Sequence, residues 1–195
     1  MLASTTTGVE NTAVGIQSLD SNTTGTLNVA VGDAALTANT TGSNNVAVGR
    51  NAMIINTTGA SNVAVGYQAL VENTTASNNT GIGYFALNKN TTGTSNAALG
   101  TNALKDITTN SNCTAVGKDA LKSNTVSGST AVGFAALEAN VTGVQNTAVG
   151  FQAAALSTAG YCTAVGYQSL DACTTGVENV AVGDGSLGAI TTGCY

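Results

Sequence analysis

The stretch NTTGSNNVAVGRNAM, Asn39–Met53, is followed closely by a near copy, NTTGASNVAVGYQAL, Asn56–Leu70. Eight of the ten intervals between successive AVG-type glycines are 17 residues, and two are 16. A fixed short period without a break in composition is typical of a solenoid, in which each coil packs only against its neighbours. We therefore predict one repetitive domain over residues 1–195. The repeating glycines are Gly15, Gly32, Gly49, Gly66, Gly83, Gly100, Gly117, Gly133, Gly150, Gly166 and Gly183.

The residues of one period favour strands over helices. The NVAVG segment is bounded by Asn and Gly and is too short for a helical repeat. The NTTG segment combines a β-branched residue with turn formers. We predict an all-β fold, a parallel β-roll or β-solenoid of about eleven 17-residue coils, each with two short strands and two turns.

Two apolar columns are predicted to form the core between the two sheets. One is the aliphatic residue before each glycine, such as Val31 or Val48, and the other is the Leu or Met four residues after it, such as Leu36 or Met53. Identical polar residues that repeat at the strand spacing are predicted to form hydrogen-bonded ladders. These are the Asn column Asn28, Asn45, Asn62 and Asn79 and the Thr column Thr40, Thr57, Thr74 and Thr91.

The opposite side of the AVG strand carries Ala followed by Gly in most coils. Glycine within a strand often marks the close approach of another backbone. We predict that this ribbon faces outward and joins three rods in a closed homotrimer. The alternative interpretation is a single solenoid whose small residues fit a tight coil. The predicted interface residues are Ala30, Gly32, Ala47, Gly49, Ala64 and Gly66.

The composition excludes several functional classes. The net charge is −5 and only 8% of residues are charged, which argues against nucleic-acid binding. Without a histidine, neither a His-containing zinc site nor a Ser-His arrangement can form. No run approaches the roughly 18 apolar residues of a membrane span. We expect no enzymatic activity, no cofactor, no metal and no membrane insertion.

Three copies of the repeat resemble a known family. NNVAVG (Asn44–Gly49), SNVAVG (Ser61–Gly66) and NCTAVG (Asn112–Gly117) resemble the N-x-x-A-I/V-G repeat of the head of trimeric autotransporter adhesins. The longer unit containing NTTG is similar to repeats of phage and large-virus tail fibres. The resemblance covers nearly the whole chain. It implies a left-handed roll, three chains side by side, and an extracellular, cell-surface or virion location.

Aromatic residues give the clearest prediction of a binding surface. Six of the eight follow the repeating glycine by one or two positions, where the sequence varies most between coils. Exposed aromatic rings can stack on sugar rings, so a host-surface glycan or receptor is a candidate partner. The alternative interpretation is packing between neighbouring chains. The six residues are Tyr67, Tyr84, Phe85, Phe134, Phe151 and Tyr167.

Two further residue types suggest modification. N-x-S/T sequons recur once per coil and offer a regular row of glycosylation sites if the host glycosylates the chain. The preferred alternative is that these asparagines are simply turn residues. Cys162 and Cys173 fall in one coil, and Cys173 and Cys194 lie one coil apart, so either pair can form a disulfide. Buried free thiols are the alternative, and Cys113 has no close partner. The recurring sequon residues are Asn22, Asn39, Asn56, Asn73 and Asn90.

These patterns favour a structural fibre or adhesin segment that uses reach and repeated weak contacts. A second hypothesis is a subunit of a homopolymeric extracellular filament, because the chain begins and ends within a repeat unit and uncapped coils can stack end to end. A third is an ice-binding solenoid with an ordered Thr column.

Overall fold

The computed structural model describes residues 7–193, and these residues form an all-β solenoid. Each coil adds one strand to a single 11-stranded parallel sheet whose strands lie in chain order. The register is uniform, with Ala30 opposite Ala47 and Ala47 opposite Ala64. The predicted parallel β-solenoid is confirmed. The strands are β1 (Thr12–Val14), β2 (Val29–Val31), β3 (Val46–Val48), β4 (Val63–Val65), β5 (Thr80–Ile82), β6 (Ala97–Leu99), β7 (Thr114–Val116), β8 (Thr130–Val132), β9 (Thr147–Val149), β10 (Thr163–Val165) and β11 (Val180–Val182).

Each coil contributes one strand, so the prediction of two strands per coil was wrong for the described residues. The chain turns repeatedly after each strand, because residues at fixed positions take the left-handed backbone conformation. In the coil of β3 these are Asn51, Met53 and Ser61, with φ of 59°, 49° and 58°. A residue in this region interrupts extended backbone. Backbone hydrogen bonds between coils nevertheless continue outside the sheet, as from the Thr40 N–H to the Thr57 carbonyl at 2.9 Å.

The strand alanines point into the solenoid, which reverses the predicted orientation of the strands. Ala30, Ala47 and Ala64 are fully buried within a single chain. Because alternate strand residues point to opposite faces, the residues on both sides of each alanine point outward. Val31 and Val48 are therefore not core residues, and the alanines cannot form an outward ribbon. The other predicted core column is correct, since Leu36 and Met53 are fully buried.

The narrow interior explains why alanine occupies the inner strand position. At Gly81, the one coil in which glycine replaces this alanine, an added Cβ would lie 3.4 Å from the Leu70 Cγ atom. Alanine therefore just reaches van der Waals contact with the leucine column, and a valine would have no space. The leucines hold φ near 52°, a conformation that costs about 1–2 kcal/mol in an L-residue. Burial of a leucine side chain contributes about 1.5–3 kcal/mol and offsets this.

The repeating glycines are required by stacking within the chain. Gly32, Gly49 and Gly66 hold φ of 136°, 134° and 135°, where L-residues are strained. A Cβ added to Gly49 would lie 2.5 Å from the carbonyl oxygen of Gly66 in the next coil. The close backbone approach predicted from glycine is therefore that of the next coil of the same chain. The predicted interface at Ala30, Gly32, Ala47, Gly49, Ala64 and Gly66 was wrong in its orientation.

Two asparagine ladders run through the interior and confirm the predicted amide stacking. We call the NTTG asparagines, such as Asn56, the turn ladder and the asparagines before the strands, such as Asn45, the strand ladder. The Asn56 Nδ2 donates to the Asn39 Oδ1 at 2.8 Å and to the Gly59 carbonyl at 3.0 Å. The Asn45 Nδ2 donates to the same Gly59 carbonyl at 2.8 Å, and its Oδ1 accepts the Asn62 backbone N–H. In each such coil, two side chains eleven residues apart converge on one inner carbonyl.

The threonine after each turn-ladder asparagine forms a third ladder. The Thr40 Oγ1 donates to the Thr57 carbonyl at 3.1 Å, and the Thr57 Oγ1 donates to the Thr74 carbonyl at 3.1 Å. The predicted Thr column is confirmed, with the main-chain carbonyl of the next coil as the acceptor. The second threonine of each pair, such as Thr41 or Thr58, is exposed.

The Asn56→Asp substitution tests the turn ladder. It removes both donors of the amide and places an oxygen against the Asn39 Oδ1 and the Gly59 carbonyl. We expect the free energy of unfolding to fall by about 3 kcal/mol, because the site is buried, the Asn39 Oδ1 loses its donor, and a carboxylate oxygen faces two acceptors. Urea denaturation followed by far-UV circular dichroism measures this. The control Thr58→Asp, at an exposed position of the same turn, should change stability by less than about 0.5 kcal/mol. Equal stability of the two variants would contradict the ladder.

Candidate functional site

The outer sheet face is the first candidate site, and we define it as the first and third residues of β1–β11. The third residue is aliphatic in every strand, and the first is Thr, Val or, in β6, Ala. None of these side chains is charged, and all charged residues of the chain lie elsewhere. β-branched residues such as Val and Thr suit a pleated surface that packs against another.

The outer sheet face is long and apolar. At about 4.8 Å per strand, eleven strands give a face about 50 Å long. Val14 is 57% exposed, Leu99 50% and Val182 67%, and the valines of the central strands are partly exposed. Contiguous apolar patches of several hundred Å² usually mark interaction surfaces. The face is therefore the strongest candidate for an interface on this chain.

The edge column is the second candidate site, and we define it as the residue after each repeating glycine. Neighbours in this column interact along the rod axis, as where the Arg50 Nε lies 3.4 Å from the Asp33 Oδ2. The column members vary in charge and size from coil to coil, in contrast to the outer sheet face. They are Ile16, Asp33, Arg50, Tyr67, Tyr84, Thr101, Lys118, Phe134, Phe151, Tyr167 and Asp184.

The six predicted aromatic residues form two clusters. In the first, the rings of Tyr67 and Tyr84 stack with centroids 5.4 Å apart, and the Phe85 ring meets the Tyr84 ring edge-on at 4.1 Å. In the second, the Phe151 ring stacks on that of Phe134 at 5.0 Å and on that of Tyr167 at 5.5 Å. Thr101 and Lys118 occupy the edge column between the clusters, so the aromatic stripe is discontinuous.

Stacking within each cluster occupies ring faces that a sugar would use. Both faces of the central Phe151 ring are covered by neighbouring rings. The Lys118 Nζ lies 5.6 Å from the centroid of the Phe134 ring, and the Lys105 Nζ lies 5.6 Å from that of Phe85. A ligand therefore meets mainly ring edges and the outer members of each stack, such as Tyr167, which is 51% exposed. This geometry favours packing between coils as the main role of the rings.

The recurring sequons are not accessible for glycosylation in the folded chain. All five asparagines are fully buried, and each Nδ2 donates to the carbonyl of the residue three positions later. An oligosaccharide on such an amide would break the turn ladder. The glycosylation hypothesis was therefore wrong for Asn22, Asn39, Asn56, Asn73 and Asn90.

Three cysteines occupy ladder positions as buried free thiols. Cys113 and Cys162 stand in the strand ladder and Cys173 stands in the turn ladder, while Cys194 lies outside the described residues. Desolvation by burial raises the pKa of the Cys113 thiol. The pKa of the Cys173 thiol is also raised, mainly by desolvation on burial and to a smaller extent by the neighbouring Cys162. A higher pKa disfavours the thiolate, which is the reactive form.

Within residues 7–193 there is no pocket and no group of three or more residues arranged to hold a metal ion. The same residues contain no helix with the length and apolarity to cross a membrane. Comparison of the chain with protein-family models, curated proteins and solved structures found no match.

The Phe151→Ala substitution tests the second aromatic cluster. It removes two ring stacks, and we expect the free energy of unfolding to fall by about 2 kcal/mol, because aromatic pairs each contribute about 0.5–1.5 kcal/mol. The thermal midpoint should fall by about 4–8 °C, measured by far-UV circular dichroism. Thr101→Ala, in the same column between the clusters, is the control and should leave the midpoint unchanged. An unchanged midpoint for Phe151→Ala would show that the rings contribute nothing to stability.

Proposed function

We propose that this chain is a structural segment of an extracellular fibre, a virion tail fibre or cell-surface adhesin, in which three copies pack side by side through the outer sheet face. The observation that carries the proposal is the uncharged surface that runs along all eleven strands of the described rod and is β-branched in every strand except β6. The resemblance of the repeat to adhesin heads and tail fibres supports the trimer and the extracellular location.

Burial of this surface provides a physical reason for assembly. Covering a half-exposed valine contributes about 1 kcal/mol, so one contact alone is weak. Association must also overcome an entropic cost of several kcal/mol at least. A column of aliphatic residues repeated in every strand supplies enough contacts to overcome this entropic cost, because the burial free energy of each coil adds to that of the others.

A second copy of the same chain is the partner that fits this face. A partner with the same coil spacing places side chains opposite every strand, whereas a surface with another spacing loses register within a few coils. Three such faces around one axis bury all the apolar columns in a closed assembly. The charged residues, which lie in the turns and the edge column, then remain in water and keep the fibre soluble.

In such a fibre the edge column would display variable side chains at intervals of one coil. Repetition along three chains lets weak contacts act together, so that avidity exceeds single-site affinity. A host-surface glycan or receptor is the proposed partner, and the outer rings of the two aromatic clusters are its proposed contacts.

Water ordering is a second candidate function, favoured by one feature of the outer sheet face. The first residue of β7–β10 is Thr in every strand, and a Val two residues later points to the same side. Rows of hydroxyl and methyl groups on a regular sheet are the arrangement expected of an ice-binding surface. This function requires the face to remain exposed, so oligomeric state separates it from the fibre.

The Val48→Lys/Val65→Lys double substitution tests the proposed interface. Two ammonium groups on β3 and β4 of the outer sheet face cannot be buried against other chains without a large desolvation cost. We expect the unsubstituted protein to sediment as three chains of 19.0 kDa and the variant as one. Analytical ultracentrifugation at micromolar concentration measures both species, and far-UV circular dichroism should be the same for both.

Thr41→Lys/Thr58→Lys, at exposed turn positions, adds the same charge away from the face and should leave the trimer intact. Ala47→Arg should instead prevent folding, because Ala47 is fully buried inside the coil. An unsubstituted protein that remains monomeric would contradict the trimer, and inhibition of ice recrystallisation by that monomer would favour water ordering. Electron microscopy would show discrete rods about 50 Å long for the trimer and indefinite filaments for end-to-end stacking.

A further inference from the structure

One coil of the solenoid lacks the interior amide that every other coil has. Each coil brings together a strand-ladder residue and the turn-ladder residue eleven positions later, as with Asn45 and Asn56 on the Gly59 carbonyl. In ten of the eleven such pairs along the sequence, at least one member is Asn. In the remaining pair both members are cysteine, Cys162 and Cys173.

The two thiols of this pair converge on one acceptor. The Cys162 Sγ lies 3.5 Å and the Cys173 Sγ 3.0 Å from the same acceptor, the Gly176 carbonyl oxygen. Because both sulfur atoms lie this close to one oxygen atom, they are at most 6.5 Å apart, the sum of the two distances. The equivalent pair Cys113 and Asn124 shows how close such side chains come, with 3.6 Å between the Asn124 Nδ2 and the Cys113 Sγ.

We propose that Cys162 and Cys173 form a disulfide that takes the place of the amide pair in this coil. An amide donates two strong hydrogen bonds, whereas a thiol is a weak donor, so two thiols hold the inner carbonyl poorly. A covalent bond between the same two positions ties the strand side of the coil to its turn side. The inference does not depend on the proposed fibre function.

The chemistry is thiol–disulfide exchange with a small-molecule disulfide such as oxidised glutathione. One thiol loses its proton and attacks the disulfide, which forms a mixed disulfide and releases one glutathione thiol. The second cysteine, as its thiolate, then displaces the other glutathione. In total the protein loses two protons and two electrons, and oxidised glutathione is reduced to two thiols.

Burial determines when this reaction takes place. Cys162 is 3% exposed and Cys173 is fully buried. Buried thiols react slowly in the closed coil, so the bond forms during folding or during transient local opening.

Oxidative refolding of the Cys194→Ser chain tests the proposal. This background removes the cysteine outside the described residues and leaves Cys113, Cys162 and Cys173. We expect refolding with a mixture of oxidised and reduced glutathione to lower the intact mass by two hydrogens, with Cys113 still open to alkylation after denaturation. Chymotrypsin cleaves after Tyr167 and Leu170, between the two cysteines, so linked fragments identify the bond. Cys113, buried in the same way beside an Asn, is the internal control.

A stability measurement separates a structural bond from an incidental one. Dithiothreitol should lower the thermal midpoint of the oxidised protein by several degrees and reduce hydrogen-exchange protection of β10. Cys162→Asn/Cys173→Asn restores the amide pair and should fold with protection that dithiothreitol does not change. Equal alkylation of all three cysteines after oxidative refolding would overturn the proposal. So would a Cys173–Cys194 bond in the unsubstituted chain, or an oxidised form no more protected than the reduced form.

Discussion

The convergence of two buried amides on one inner carbonyl is the interaction on which this solenoid depends. The interior is too narrow for a conventional apolar core, and the strand alanines and the leucine column leave the turn side of each coil to polar groups. Buried amides are stable only when their donors and acceptors are paired. Here the next coil and the inner carbonyl complete that pairing. Where Ile107 replaces the turn-ladder Asn, the Asn90 Oδ1 is left buried without a partner.

Because the coils stack in register, each position of the repeat forms a column of side chains along the rod. Like charges in one column repel at the coil spacing, and several charged neighbours are instead of opposite sign, as in Lys89 with Asp106 at 2.8 Å and Lys122 with Glu138 at 3.3 Å. Lys105 and Lys122, which occupy equivalent positions in successive coils, are an exception. Exposed ion pairs of this kind contribute little stability by themselves. Pairs of opposite sign let the variable columns carry charge without opposing the stack.

The sequence alone was sufficient to predict the period, the coil number, the parallel sheet and the ladders, because each follows from repetition at a fixed spacing. The inward face of the strand could not be predicted from hydrophobicity, since Ala47 and its neighbours Val46 and Val48 are all apolar. The alternation of side chains between the two faces of the strand does carry a usable signal. The first and third residues share a face, and the first is Thr in six coils, which marks that face as the one that tolerates water. The sequence places the six aromatic residues just after the repeating glycines, but their stacking in two clusters depends on side-chain geometry that spacing does not specify.

The left-handed residues explain why a coil of this kind cannot fold by itself. In the coil of β3, Asn51, Met53 and Ser61 each hold positive φ, at a cost of about 1–2 kcal/mol per residue in the absence of other contacts. The compensating contacts are the leucine-column packing and the amide pairing, and both require a neighbouring coil. Stability must therefore propagate from coil to coil, with weak points where pairing is incomplete. Asn90 beside Ile107 and the thiol pair Cys162 and Cys173 are two such points, and only the second has side chains that can form a covalent bond across the coil.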